Sequence, residues 1–389
     1  MINLPPGPFR KAFVDDDDEF VKEAIKPRKS SDICWCGSKL EYWKCHAKRQ
    51  FQKPIKLGKA LNEQRKVFWK PRGCMHPEAS ADVCRGKIID AHTIQRKGPL
   101  ATVVDSSNHV FHIEIDHQKQ LMDIKALGWK KASIFPGFCS HHDAELFRQL
   151  ETETFKGTKI QCVLQSYRNV CCELYKKRAL VDSLKYQRKV LDAGYDLHRQ
   201  IEIQMSIHKN MEGQLKSIAE LEELQNKFHE ALVNGNLDCF ETKVFPFSGE
   251  IEMVSAAVIQ VDYDFEGNQF IDIFDLEQDA QSIIYSTMNT NCGGAIVFCW
   301  LTEHECARKF VDSFESIEDC DKGDIFAQYC FLSSEHTFFS KTWWDSLSDN
   351  QRDRIFKLYR CTYYEGGKFT VGNEPIVQWQ FFNSTHIGT

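Results

Sequence analysis

Residues 34–46 read CWCGSKLEYWKCH. Cys34 and Cys36 flank a single tryptophan, and Cys45 and His46 follow after the eight residues Gly37–Lys44. Three thiols and an imidazole are a soft donor set that suits tetrahedral zinc. Gly37 permits the tight knuckle that turns backbone N–H groups toward the sulfurs, and Tyr42 and Trp43 are placed to pack over so small a core. The stretch predicts a compact zinc finger over residues 32–49. With all four ligands supplied, no coordination position stays open for catalysis.

Working outward, the positions Cys34, Cys36, Gly37, Ser38, Tyr42, Cys45 and His46 resemble the SEC-C motif, a short zinc finger found at the end of the SecA translocase and on many bacterial proteins. The resemblance covers about thirteen residues and implies a structural, partner-binding finger rather than a catalyst.

A second group of metal-ligand residues follows. Cys74, His76 and Cys84 come first, then the strand-like KIIDAHTIQR (87–96), then FCSHHDAELF (138–147) with Cys139, His141, His142 and Asp143 at a helix start. A thiol pair followed by C-x-x-H at a helix start is the ligand order of a treble-clef zinc fold. Cys74, Cys84, Cys139 and His142 are then the expected structural ligands, with His76 the alternative to Cys84.

The same order resembles the HNH endonucleases, a treble-clef family. That resemblance implies that His92 is a general base, that Asn108 orients it, and that His141 or Asp143 binds a catalytic ion such as Mg. A histidine titrating near neutrality can deprotonate water, and a divalent ion can stabilise the leaving phosphate oxygen. The chain departs from the family pattern in three places, one being that Asn108 matches by order alone. Ala91 stands where many relatives carry a metal ligand, with Asp90 one place early, and 46 residues separate His92 from Cys139. The non-catalytic alternative is a zinc-stabilised scaffold in which His92 is a core histidine.

Charge is unevenly spread over the 389 residues. Residues 26–100 hold 18 Lys and Arg against 6 Asp and Glu, whereas residues 250–389 hold 9 against 23. The basic part suits phosphates and the acidic part repels them. Lys48, Arg49, Lys53, Lys56, Arg65, Lys66, Lys70 and Arg72 are the expected nucleic-acid contacts, with Trp35, Trp43 and Trp69 interleaved for base stacking. Masking of the basic part by the acidic one is a further expectation.

The remaining ten of the 16 cysteines, from Cys162 to Cys361, lie mostly in apolar or amphipathic runs and read as buried. Residues 1–10 lack the apolar stretch of a signal peptide, so a cytoplasmic protein without a membrane span is expected. The chain contains no P-loop, no G-x-G-x-x-G, no nucleophile elbow and no H-E-x-x-H.

The expected fold class is α+β and multidomain, with a small zinc finger, a treble-clef ββα-like module, a long helical hairpin and a C-terminal mixed α/β domain. Residues 1–31 read as a flexible charged tail, 50–70 as a basic linker with helical character, and 71–175 as the HNH-like module. Residues 176–240 read as a helical hairpin broken near Lys209–Gly213, which can serve a homodimer, and 247–389 as an acidic domain of unassigned role. In the C-terminal part, Ile251–Tyr263 and Gln269–Phe274 are expected to pair around the turn Glu266–Asn268. The function expected is binding of DNA or RNA, with metal-dependent phosphodiester hydrolysis, in an arrangement similar to defence or toxin-like effectors. The alternative is a non-catalytic adaptor for a protein or ribosomal partner.

Overall fold

The structure is a computed structural model and describes residues 18–116, 121–272, 275–364, 372 and 374–382. In chain order its elements are α1 (Glu19–Ile25), α2 (Leu57–Phe68), β1 (Ile88–His92), α3 (Pro99–Thr102), β2 (His109–Asp116), β3 (Leu121–Gly128), β4 (Ile134–Cys139), α4 (Ser140–Leu146), α5 (Arg148–Thr152), α6 (Lys159–Val190) and α7 (Leu197–Asn234). They continue with β5 (Phe240–Ser248), β6 (Met253–Gln260), β7 (Ser282–Thr290), β8 (Gly293–Leu301), α8 (Glu305–Glu315), α9 (Asp319–Ser333), β9 (Thr337–Phe339), α10 (Lys341–Ser346), α11 (Asp349–Tyr364) and β10 (Gln380–Phe381). No described helix is long and apolar enough to cross a membrane.

The chain divides into two compact units, one of residues 1–70 and 174–219, the other of residues 71–173 and 220–389. The division falls inside both long helices, α6 and α7.

In the first unit, α1 occupies part of the expected tail. Asp18 caps it, its carboxylate accepting the Phe20 N–H at 2.9 Å. Val21 and Ala24, three apart on one face, bury against Cys34, Trp35, Ile201 and Met205. Residues 19–25 are therefore helical because they have an apolar edge to bury. Asp15, Asp16 and Asp17 of the acidic run lie outside the described residues.

The helical hairpin breaks at residues 191–196, not at Lys209–Gly213. Gly194 has φ +84°, and a Cβ there would meet Pro54 Cγ at 2.6 Å and the Gln52 carbonyl at 2.9 Å. Only glycine takes that backbone conformation against so close a neighbour. Gly213 has open space around it and stays helical, because a lone glycine weakens a helix without breaking it.

In the second unit, an antiparallel sheet runs in the order β10-β5-β8-β7-β6-β9-β2-β3. The hairpin β2–β3 arises between β1 and β4 and joins β9 through Phe111 opposite Phe339. The 46 residues after His92 are thus not a long loop inside a ββα motif. They carry two strands into the sheet formed by the C-terminal part, so segments 71–175 and 247–389 share one sheet and one core. Val110, Ile113, Phe298, Phe310, Phe338, Phe339, Trp343 and Trp344 are buried in that core.

β6 pairs with β7, Ala256 facing Ser286, and with β9, Val254 facing Phe338, rather than with residues 269–274. The turn around Gly267 forms, but it supports only the bridge between Tyr263 and Gln269. Phe270 packs on the core and Ile271 is half-buried, but among the described residues Gln269 to Asp272 pair with no strand beyond that bridge, and Ile273 and Phe274 lie outside the described residues. At the start of α11, Ser348 Oγ accepts the Gln351 N–H at 3.2 Å while Gln351 Oε1 accepts the Ser348 N–H at 2.7 Å. This reciprocal pair is a capping box.

Candidate metal centres and a buried polar site

Cys34, Cys36, Cys45 and His46 bring their ligand atoms within 4.8 Å of one another. His46 Nδ1 lies 3.1 Å from the sulfurs of both Cys34 and Cys45, and the Cys36 and Cys45 sulfurs are 3.5 Å apart. Those edges are close to the roughly 3.5–3.8 Å edges of a tetrahedron with metal bonds of about 2.0–2.3 Å. The residues fit zinc.

Asp192, in the break between α6 and α7, fixes the imidazole. His46 Nε2–H donates to Asp192 Oδ2 at 2.6 Å, which leaves Nδ1 facing the sulfurs. Asp192 also accepts from Arg49 Nε and from the Gln204 amide, both at 2.7 Å. Burial works against a charge on His46, but the Asp192 hydrogen bond and the neighbouring sulfurs raise its pKa to about 11. Hydrogen bonds from Cys34 and Cys45 lower the pKa of the Cys36 thiol and favour its thiolate, while the same contact pushes Cys34 up. A site that gathers this much proton affinity and thiolate character suits a divalent cation. Arg188, buried beside it, donates to the Gly37 carbonyl at 3.2 Å, and its charge interacts with Cys36 and Cys45.

These contacts correct two expectations. Arg49 is buried and bound to Asp192, so its charge is not available to a phosphate. Trp35 is buried with its ring 4.6 Å from that of His46 and cannot stack on a base. Trp43, expected over the finger's core, is instead 57% exposed. Lys48, Lys53, Lys56, Arg65, Lys66 and Lys70 are exposed, with Lys66 paired to Glu63 at 2.8 Å, and Arg72 is half-buried.

In the second unit, the ligand atoms of Cys74, Cys84, Cys139 and His142 also lie within 4.8 Å of one another. Strands β1 and β4 pair antiparallel, Ile88 opposite Cys139, and α4 begins at once. Cys139 is thereby delivered at the end of a strand and His142 in the first turn of a helix. His142 Nδ1 is 3.4 Å from Cys74 Sγ and 3.6 Å from Cys84 Sγ. Burial opposes a charge on Cys139, but backbone N–H groups, that of His142 foremost, hold its thiol below the usual range. His76 is not in the cluster. Its ring stacks on His142 at 4.0 Å, and burial lowers its pKa to about 4. His141 turns to Glu145, at 3.3 Å.

Beyond this cluster lies a polar site that spacing does not show. His92 ends β1, with Nε2 buried and unpartnered. A backbone hydrogen bond to Trp129 therefore falls to Nδ1. The Trp129 N–H in turn donates to the Asn108 carbonyl at 3.0 Å. Asn108 is exposed at φ +63°, and its link toward His92 runs through the backbone. Burial first, then the Arg96 charge, lowers the His92 pKa. Asp143 also has a buried, unpartnered oxygen, and burial raises its pKa. Asp90 is exposed.

Arg168, on α6, carries no signal in the sequence. It is only 1% exposed, donates from Nη2 to Glu151 at 2.9 Å and lies 4.0 Å from the centre of the Phe147 ring. Its charge acts on both His92 and Asp143. Asp192, Arg168 and Glu151 carry no local motif, and nothing in the spacing of residues marks them. Apart from the two Cys/His sets, no further cluster of three metal ligands occurs among the described residues. Of the other cysteines, Cys292 and Cys320 are exposed rather than buried.

No protein-family model, curated protein or solved structure matches the chain.

Proposed function

We propose that the chain is a zinc-stapled nucleic-acid-binding protein whose second unit hydrolyses phosphodiesters, with His92 as general base. The observation that carries this reading is the unpartnered Nε2 of His92 at the end of β1, beside a helix whose first turn supplies a zinc ligand. With Nδ1 engaged by Trp129 and the pKa lowered, Nε2 is a free lone pair at neutral pH. It takes a proton from water as the water oxygen bonds to phosphorus. The bond to the leaving oxygen breaks, and solvent returns a proton to it. The zinc sets act as staples, since each already has four ligands. The exposed lysines after the first finger support sequence-independent phosphate binding.

The test is cleavage of single- and double-stranded DNA and RNA with Mg²⁺, Mn²⁺ or EDTA, comparing wild type with His92→Ala at equal zinc content. Cleavage lost in the variant supports the base. Binding without cleavage in every condition refutes it. That second outcome favours the adaptor reading, for which the exposed Ile33, Leu40 and Trp43 of the first finger are the supporting observation.

A further inference from the structure

Buried polar atoms without partners are rare in folded proteins, and each calls for a physical account. Among the described residues thirteen such side-chain atoms occur, and six belong to one neighbourhood of the second unit. They are His92 Nε2, Thr93 Oγ1, Asp143 Oδ1, Gln165 Oε1, and Nε and Nη1 of Arg168. The neighbourhood is continuous. The Gln165 amide donates to the Thr93 carbonyl at 3.0 Å. Arg168 follows three residues later on α6 and packs on Phe147, which lies four residues after Asp143.

Building on the hydrolytic reading, we propose that Arg168 receives a non-bridging oxygen of the substrate phosphate, and that Glu151 occupies part of that position in the free protein. A guanidinium carries five N–H donors and no lone pair, so it can hold an anion but not a metal. The three donors on Nε and Nη1 are unsatisfied, and no three of the nearby acidic and imidazole groups converge as cation ligands. Glu151 is 41% exposed in its side chain whereas Arg168 is 1% exposed, so the pair runs from the surface inward. A phosphate oxygen reaching Arg168 displaces one carboxylate contact and satisfies donors that Glu151 leaves empty. In a site shielded from water such a charge-assisted contact is strong. It also stabilises the charge that spreads over the phosphoryl oxygens during displacement.

The experiment titrates inorganic phosphate into the full zinc-loaded chain at low salt, followed by calorimetry and ³¹P line broadening. Glu151→Gln, whose side chain lies at the partly exposed end of the pair, removes the competing charge and is expected to tighten phosphate binding about fivefold or more. Arg168→Gln is expected to weaken it at least about tenfold with both zinc sets retained. If Arg168→Gln does not fold, Glu151→Gln decides alone. Phosphate binding that is absent from both wild type and Glu151→Gln, or is unchanged by Glu151→Gln, overturns the proposal. The two readings fail separately. Arg168-dependent phosphate binding without nucleic-acid cleavage removes the nuclease and leaves the oxyanion site. His92-dependent cleavage whose KM ignores Glu151→Gln removes the role of Arg168 alone.

Discussion

Asp192 accepts a hydrogen bond from His46 Nε2 at 2.6 Å across 146 residues of sequence. The same carboxylate is fully buried and also binds Arg49 and Gln204. A metal-ligating histidine is generally oriented by such an acceptor on its second ring nitrogen, which fixes the tautomer and raises the basicity of the ligating one. The first finger is therefore completed by the break between two long helices rather than by its own thirteen residues.

Replacing Asp192 by Asn keeps the volume and removes the charge. Zinc affinity of the first site is expected to fall about 10–100-fold, read by competition with a chromogenic chelator, while the second site keeps its affinity. An unchanged first site would show that Asp192 serves only the packing of Arg49 and Gln204.

At the second site the structure separates two residues that spacing left as alternatives. Two zinc ions per chain are expected, with Cys84→Ser losing one and His76→Phe keeping both, since the phenyl ring preserves the stack on His142. Elemental analysis of protein purified without added metal measures this. Loss of zinc in His76→Phe with retention in Cys84→Ser would reverse the assignment.

Gly194→Ala is expected to destabilise the protein by more than about 1 kcal/mol, because φ is positive and Cβ meets Pro54 and a carbonyl. Gly213→Ala, in open space on α7, is expected to stabilise by about 0.5–1 kcal/mol. Urea unfolding of both variants reads the contrast, and equal effects would contradict the backbone argument.

His92 titrates below its ordinary value of 6.5, burial first and the Arg96 charge second. Neutral His92 thus contributes stability that is present above pH 6.5 and lost as pH falls toward the lowered folded value. Hydrolysis should hold through pH 6.5 and fall only below it, and Arg96→Ala should move that acid limb upward. A limb that ignores Arg96→Ala would remove His92 as the titrating group.

Much of this was legible in local patterns. The four residues of the first cluster lie within one short segment, so their convergence needs only a knuckle and a single turn. The order of Cys74, Cys84, Cys139 and His142 is visible in the sequence too, but no local pattern shows that the strand hairpin between them leaves for another sheet. The charge of Arg49 suggests a phosphate contact, whereas its burial against Asp192 is invisible in a charge count.

What the sequence by itself determined are the relations spanning a few residues, where ligand spacing, helical period and cap chemistry act through the covalent chain. The tertiary structure alone decided three others. It set Asp192 behind His46, brought Arg168 to Glu151, His92 and Asp143, and seated β2 and β3 beside β9. Each joins groups far apart in the chain, and their meeting depends on which apolar faces bury together and which polar groups are thereby cut off from water.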